Sequence, residues 1–290
     1  MTHSIAVLFG TRRGILLLLR NALVAFGVLT GMFQIGLALW PEARPSGENR
    51  WSALLMLVTA ALLFGLLRAW PGRKVSRTFS RPDIKIRVEI GDLFDQESHL
   101  IVGFSDTFDT DTTNGVVISE SSVQGQFQKR IYGQDLARLD TELASALVGR
   151  TIESTETRAD KSTGKLDRYP IGTVAVLGDP TRHFFCVAYS KMQNNLIASS
   201  NVDFLWQSLG AAWEGIYLRG QQKPVSIPVV GSELARVSCL DRESLLKMIL
   251  LSFVARSRQS LVSKELRVII HPKDHHHINM LEVEAFLRTL

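Results

Sequence analysis

Two long apolar blocks near the start of the chain limit what it can fold into more than any other feature. Residues 22–40 and 51–67 are 19 and 17 positions long, and each contains only two polar side chains. A helix needs about 20 mostly apolar residues to cross the hydrocarbon core of a bilayer. The blocks therefore predict a transmembrane helical hairpin within residues 1–70, with helices at about 14–40 and 51–70.

The residues around the blocks predict the orientation of the hairpin. Trp40, Trp51 and Trp70 stand at the block ends, where indole rings prefer the membrane interface. The loop PEARPSGENR between the blocks carries two Glu and two Arg, whose charges cancel. The outer flanks are basic through Arg12, Arg13, Arg20, Arg68, Arg73, Lys74, Arg77 and Arg81. The positive-inside rule then places both flanks in the cytoplasm and the short loop outside.

Two other interpretations of the blocks stay open at this point. A signal peptide would account for the first block, but not for a second block followed by a basic run. Two buried helices of a soluble domain would account for both. Gly27 and Gly31 in the first block have the GxxxG spacing that lets helix backbones approach closely in lipid. We expect a homo-oligomer assembled through this face, although glycine is also simply common in membrane helices.

Charge and cysteine content argue against two classes of protein. The net charge is +5, and the basic residues do not interleave with exposed aromatic residues along one face, so we expect no nucleic-acid partner. The chain has only two cysteines, Cys186 and Cys239, each in a stretch of buried or nearly buried character. This indicates a reducing compartment without a disulfide framework, and two non-catalytic core residues.

Beyond a basic, polar linker at residues 71–83, strands and helices alternate through residues 84–290. The predicted strands are 84–90, 99–105, 171–177, 183–190, 225–230 and 266–271. The predicted helices are 124–148 with a break near Gly133, 201–220, 241–258 with Asp241 as its cap, and 278–290. Such alternation predicts a layered α/β domain with a largely parallel sheet.

Three polar loops follow predicted strands: GDLFD after Ile90, SDTFDTDTTNG after Phe104 and GSELARVS after Val230. Ligands of parallel sheets bind beyond the carboxyl ends of the strands. A diphosphate is favoured by backbone N–H groups in a glycine turn at a helix start, which Gly231 and Gly125 could supply. Ordinary turns after strands explain the same residues, so a binding role and a structural role both stay open.

The order of these motifs resembles that of a macro domain. VEIGDLFD looks like the family's opening strand and Gly-Asp pair, and GFSDTFDT, SSVQGQF, YPIGTVAVL, AYSKM and IPVVGSELAR follow in order after the hairpin. The combination is similar to the membrane-anchored macro-domain effectors of type II Thoeris anti-phage defence. The resemblance covers roughly residues 84–290. It implies a three-layer α/β/α domain with a mixed, largely parallel sheet.

The resemblance also implies a function. In that family a TIR-domain enzyme makes a signal derived from ADP-ribose, and the macro domain binds it. The membrane segments then assemble and damage the inner membrane, which leads to cell death or growth arrest. We therefore expect a multi-pass protein of the bacterial inner membrane, with its N-terminus and macro domain in the cytoplasm. Two alternatives are a membrane-tethered ADP-ribosyl hydrolase and a non-binding anchor that recruits proteins.

The resemblance further implies the residues of the ligand site. Asp92 matches the Asp that contacts the adenine amino group, and two loops match those that close over the diphosphate. Lys191, at a strand end near Tyr189, is an additional candidate. The expected ligand-binding residues are Asp92, Leu93, Phe104, Ser105, Asp106, Thr107, Gln124, Gly125, Gln126, Lys191, Gly231, Ser232, Glu233 and Leu234.

One departure from the family pattern bears on catalysis. The asparagines of the family's ribose loop are absent, and GFSDTFDT stands in their place. Hydrolysing macro domains use that loop to position water. We therefore expect no catalytic residue, no cofactor and no hydrolysis, and a signal that differs from plain ADP-ribose.

Two clusters could instead hold metal. Asp106, Asp109 and Asp111 are clustered carboxylates of the kind that hard cations prefer, but the loop lacks the glycine of a calcium site. The stretch HPKDHHH carries His271 and three consecutive histidines, 275–277, which cannot all face one metal on a helix. We expect a solvated turn there and no metal.

Overall fold

The computed structural model describes residues 2–43, 45, 47, 49–231, 237 and 239–290, with the backbone alone at Thr2, His3 and Asn114. The chain divides into two compact units. The first comprises Met1–Arg73 with Asn279–Glu282, and the second comprises Lys74–Ile278 with Val283–Leu290.

The first unit is built on apolar helices. Its helices are α1 (Thr2–Gly10), α2 (Arg12–Leu39) and α3 (Asn49–Ala69), and a short 3₁₀ turn (Pro41–Ala43) follows α2. By length and composition α2 and α3 are both able to cross a membrane. The two predicted helices are therefore present, each beginning two residues earlier than expected, whereas α1 was not predicted.

Small residues bring α2 and α3 together. The buried residues of the contact are Ala22 and Ala25 on α2 and Ala61, Gly65 and Ala69 on α3. A Cβ atom at Gly65 would lie 2.9 Å from the Cβ of Ala22, so the two backbones approach closely there. Among the described atoms, none lies within 4 Å of the place where a Cβ on Gly27 or Gly31 would stand. The GxxxG face is therefore not used inside the hairpin.

The second unit is an eight-stranded mixed sheet. Its strands are β1 (Lys74–Ser80), β2 (Asp83–Ile90), β3 (His99–Ser105), β6 (Val174–Asp179), β7 (Arg182–Met192), β8 (Ala198–Ser199), β9 (Val225–Pro228) and β10 (Glu265–Ile270), and a separate two-stranded ribbon pairs β4 (Ser154–Thr155) with β5 (Asp167–Arg168). The order is β1-β2-β10-β9-β3-β7-β6, with β8 on β7. The four central pairs are parallel, and the pairs at both ends are antiparallel.

Helices cover both faces of this sheet. They are α4 (Val123–Tyr132), α5 (Leu136–Leu147), α6 (Val202–Arg219), α7 (Arg242–Gln259) and α8 (Met280–Thr289). Phe184 and Cys186 of β7 join the core under α4 and α5. Phe185, which points to the opposite face of the strand, lies near Gly215 of α6. The predicted three-layer α/β/α arrangement with a mixed, largely parallel sheet is confirmed.

The two helix ends that the sequence predicted from local signals, Gly133 and Asp241, are confirmed. Gly133 ends α4 in the left-handed conformation, with φ of 59°, at the expected break. Asp241 caps α7, because its side chain accepts a hydrogen bond from the Ser244 N–H. Helix α7 packs on α6 through Trp213, which is fully buried and donates its indole N–H to Ser252.

The predicted linker at residues 71–83 needs correction, because most of it is the edge strand β1. Val75 lies opposite Val88 and Phe79 opposite Ile84 in an antiparallel ladder with β2. Phe79 is buried and Arg77 is half-buried over its ring, whereas Ser76 and Thr78 on the other side of the strand are exposed. An edge strand with one wet face shows little apolar alternation, so composition alone suggested a linker.

A second correction concerns the cysteines. Cys186 lies in the core, and burial raises the pKa of its thiol. Cys239, which was expected to be buried or nearly buried, is exposed. It lies in the turn before α7, where the neighbouring Val237 supplies the buried side chain instead.

Candidate functional site

A cavity of about 500 Å³ opens where the parallel strands of the second unit end. Gly91 follows β2, Ser105 ends β3, Pro228 ends β9 and Ile270 ends β10, and all four line the cavity. Such clefts beyond the carboxyl ends of strands are where open α/β sheets bind ligands, and the volume suits a small organic molecule. The sequence-predicted location of the site is therefore the location of this cavity.

Asp92 lies on the cavity wall in the loop after β2, as does Leu93. One Asp92 oxygen accepts the Phe94 N–H at 2.8 Å, and the other pairs with Arg130 of α4 at 2.5 Å. Arg130 also contacts Asp95 at 2.7 Å and stacks on the Phe94 ring. The hydrogen bond that Arg130 donates to Asp92 raises the pKa of the Arg130 guanidinium. Arg130 was missed because nothing in the sequence links two residues 38 positions apart.

The start of α4 forms a second wall. Ser122 caps the helix, and Gln124 and Gln126 of its first turn line the cavity. Their amide groups are already engaged, since Gln124 donates to the Asp109 carbonyl and Gln126 to the Ser121 carbonyl. The helix start still directs the positive end of its dipole to this region, which suits an anion.

Gly125 has a different role from the one predicted. It does not line the cavity, and its N–H donates to the Ser122 hydroxyl. A Cβ on Gly125 would collide with the Ser119 carbonyl and lie 2.7 Å from the Glu120 Cα. The glycine is therefore required by the close approach of the preceding loop.

The segment at the end of β3 and the loop after it lie only partly on the cavity wall. Phe104 and Ser105 line the cavity, and Asp106 and Thr107 do not. Asp106 is fully buried, pairs with Arg168 at 2.9 Å and accepts the Met192 N–H. The Thr107 hydroxyl donates to Asp109 at 2.5 Å. These predicted ligand residues are thus occupied by the protein itself.

The three carboxylates weighed as metal ligands each have a partner within the protein: Asp106 and Asp109 pair with cations, and Asp111 accepts a backbone N–H. Asp109 pairs with the buried Lys161 at 3.0 Å, and Asp111 caps the N–H of Thr113. In the described part of the chain, no three His, Cys, Asp or Glu side chains are grouped so as to hold a metal ion. Residues His275–His277 form a 3₁₀ turn.

Two predicted parts of the site remain, the loop that begins at Gly231 and the side chain of Lys191, and only Gly231 lies on the cavity wall. Gly231 lines the cavity with φ of 82°, a conformation that favours glycine. Ser232, Glu233 and Leu234 lie outside the described residues. Lys191 does not line the cavity, because its ammonium group turns to Glu153 and the Phe204 ring. Tyr189, two residues earlier, does line it and packs against Gly103.

Basic residues from the end of the chain were not predicted. Arg242, His271 and Lys273 line the cavity together with Asp274, which pairs with Arg242. They follow β9 and β10 and so reach the same edge of the sheet. The sequence signal was the HPKD stretch after the last strand, which was considered only for its histidines. Lys273 and Arg242 bring positive charge to this wall, Arg242 beside its partner Asp274, and such groups suit an anionic ligand.

An apolar wall was also missed. Val117, Ile118 and Met192 form a small buried cluster, with Leu196 and Ala198 packed on it. All five line the cavity. They come from the loop at residues 116–119 and from the turn between β7 and β8, residues 192–198, whose sequences show no regular periodicity. The cavity therefore combines one apolar side with polar and cationic sides, as small-molecule sites do.

A layered sheet with a cleft at the strand ends is the macrodomain architecture. The Oceanobacillus iheyensis macrodomain with MES bound has a TM-score of 0.50 at 12% identity, covering 75% of this chain and 100% of that one. A point mutant of the same macrodomain gives 0.51 at 12% identity, covering 74% and 100%. At this identity the likeness concerns the fold alone.

Sequence comparison identifies the family to which this macrodomain belongs. The family described as Thoeris protein ThsA, Macro domain, matches residues 86–271. The Thoeris protein ThsA of Bacillus amyloliquefaciens (strain Y2) is 26% identical over 207 residues, covering 70% of this chain and 67% of that protein. The chain belongs to the ThsA macro-domain family.

Proposed function

We propose that this chain is a Thoeris defence effector whose macro domain binds a signal derived from ADP-ribose. A TIR-domain partner makes the signal, and binding leads α2 and α3 of several copies to assemble and disrupt the membrane. The chain is a multi-pass protein of the bacterial inner membrane, with its N-terminus and macro domain in the cytoplasm. It acts as a sensor, without catalytic residues, metal or cofactor.

The cavity is the observation that carries this proposal. It presents the start of α4, the ammonium group of Lys273, the guanidinium of Arg242 beside Asp274 and the imidazole donor of His271 to a ligand, which favours phosphate groups. Asp92 also lines the cavity, and its carboxylate can accept a hydrogen bond from an amino group of the ligand. Its volume of about 500 Å³ leaves room for a nucleotide sugar.

The carboxylates of the loop after β3 are not placed to act as a base for hydrolysis. A hydrolase would need a carboxylate or another base placed to activate water beside the ligand. Asp106 and Asp109 are buried behind the wall and neutralised by Arg168 and Lys161. Neither carboxylate reaches the cavity.

The test is calorimetric titration of the full chain in detergent. ADP-ribose, NAD and an extract of infected cells containing the TIR-domain partner are the titrants, and each mixture is recovered for mass spectrometry. Binding of a component that is returned unchanged supports a sensor. A cleaved component would make the chain a hydrolase, and no heat with any titrant would leave a protein-recruiting anchor.

Asp92→Ala and Asp95→Ala form a matched pair for this assay. Both carboxylates contact Arg130, but only Asp92 lines the cavity. We expect Asp92→Ala to weaken binding by about tenfold or more, the loss of a charge-assisted hydrogen bond. Asp95→Ala should change it by less than about twofold, the effect of an exposed ion pair. Equal effects of the two variants would place adenine recognition elsewhere.

A further inference from the structure

A fully buried lysine stands behind the cavity wall. Lys161 lies between β4 and β5, is 0% exposed, and its ammonium group is 3.0 Å from the Asp109 carboxylate. It also donates to the Lys165 carbonyl at 2.6 Å. Removing an ion pair from water is costly, and apolar residues of similar volume would often serve stability equally well. The pair therefore calls for a role beyond holding the fold together.

The segment that carries Lys161 closes tightly on Asp109. Gly164 has φ of 84°, and a Cβ there would lie 2.6 Å from an Asp109 oxygen. The same oxygen accepts the backbone N–H of Lys165. Both oxygens of Asp109 are thus fixed in direction, one by a backbone N–H and the other by Lys161.

From Asp109 two hydrogen-bond paths lead to the cavity wall. Its backbone carbonyl accepts the Gln124 side-chain amide at 2.7 Å. Its carboxylate accepts the Thr107 hydroxyl at 2.5 Å, and the Thr107 oxygen lies 3.1 Å from that of Ser105. Gln124 and Ser105 both line the cavity, whereas Asp109 and Thr107 do not.

The second path has a fixed direction. A carboxylate paired with a buried ammonium group only accepts hydrogen bonds, so the single hydroxyl proton of Thr107 is committed to Asp109. Ser105 must then donate its own single proton to Thr107. The Ser105 hydroxyl then has no proton to offer to a ligand in the cavity. Its oxygen can only accept a hydrogen bond from that ligand.

We propose that Asp109 and Lys161 are positioning residues of the ligand site, which hold Gln124 in place and make Ser105 an obligatory acceptor. The site then selects a ligand that presents a hydroxyl or amine donor to Ser105, such as a sugar hydroxyl, over one that presents a phosphate oxygen. This inference rests on the proposed function for the identity of the ligand as a nucleotide.

The experiment compares ADP-ribose with ADP, which ends in phosphate oxygens where ADP-ribose carries sugar hydroxyls. Affinities are measured by calorimetry on the full chain in detergent, together with thermal midpoints. The variants are Thr107→Val, which removes the relay hydroxyl at nearly constant volume, and the neutral pair Asp109→Asn with Lys161→Met. Arg158→Met is the control, since Arg158 lies in the same segment, is exposed, and donates to the Gly164 carbonyl without bonding Asp109, Thr107 or Lys161 in the described structure.

We expect the wild type and the control to prefer ADP-ribose. In Thr107→Val and in the neutral pair, the preference should fall by about three- to tenfold, the value of one hydrogen bond. If the neutral pair fails to fold, Thr107→Val decides alone, because it leaves the ion pair intact. An unchanged ratio of affinities in a variant with an unchanged thermal midpoint would overturn the proposal.

A readout without ligand separates this proposal from the proposed function. Hydrogen–deuterium exchange of the ligand-free chain should be faster in Thr107→Val for peptides within residues 103–126, and unchanged for α6. If the wild type binds neither nucleotide but exchange responds in this way, the positioning role stands and the nucleotide assignment fails. Exchange that is identical in the two proteins would show that the relay positions nothing.

Discussion

The hairpin offers two glycines whose substitution by leucine should have opposite consequences. At Gly65 a Cβ would lie 2.9 Å from the Ala22 Cβ, and 3.0 Å from both the Ala22 nitrogen and the Leu18 oxygen. Two of these atoms belong to the backbone and cannot rotate away, so α2 and α3 must separate. We expect Gly65→Leu to destabilise the hairpin by about 1–3 kcal/mol, the usual range for overpacking.

At Gly31 an added Cβ would have no described atom within 4 Å beyond the neighbouring backbone of its own helix. Gly31→Leu should therefore leave the hairpin and ligand binding unchanged. In the proposed assembly the Gly27–Gly31 face lets helices of different copies approach closely, and a leucine would hold them apart. We expect about tenfold more protein to be needed for the same damage, which corresponds to about 1.4 kcal/mol.

The assay measures survival of cells that carry the chain and its TIR-domain partner during phage infection, across a range of expression levels. Cross-linking in detergent, with and without ADP-ribose, reports the oligomer. Membrane insertion and calorimetry serve as controls for folding. Undiminished killing by Gly31→Leu, with insertion intact, would refute the idea that this face joins the copies.

Three further outcomes follow from individual side chains. Burial lowers the pKa of His99 from its ordinary value of 6.5, so near and below that pH the unfolded chain binds more protons than the folded one. The thermal midpoint should therefore fall as the pH drops below about 6.5. A midpoint that is constant from pH 7.5 to 5.5 would contradict this. Maleimide should label the exposed Cys239 rapidly and the buried Cys186 only after unfolding, as counted by intact mass. Gly231→Val should weaken ligand binding, because φ of 82° costs a β-branched residue at least about 1–2 kcal/mol, whereas Gly210→Ala, in open space on α6, should not.

The sequence predicted regular elements well where the core has a regular period. Strands such as β3 and β7 alternate or run apolar, and helix ends such as Gly133 and Asp241 use local hydrogen-bond chemistry that can be recognised in the sequence. The α/β layering and the position of the site at the strand ends follow from those elements. The ribbon of β4 and β5 has only two residues in each strand, and no periodic signal can arise from so few.

Predicted site residues lie on the cavity wall where a loop directly continues a strand, as at Asp92 and Ser105. It was missed where partners come from distant parts of the chain. Asp106 was predicted to bind the ligand, and Asp109 was weighed as a metal ligand, because a sequence does not show which cations will neutralise these carboxylates. Lys161 and Arg168 do so from more than 50 residues away.

The correction of the linker changes how binding can act on the proposed membrane hairpin. A flexible tether of thirteen residues would leave the two units nearly independent, since such a chain transmits little strain. Helix α3 instead ends at Ala69 and β1 begins at Lys74, so only residues 70–73 separate them. Strand β1 is held along its whole length by β2, and the loop after β2 carries Asp92 on the cavity wall. Along the chain, four residues therefore separate α3 from the paired strands β1 and β2, and we expect deletions or insertions at 70–73 to alter signal response more than changes in a flexible linker would.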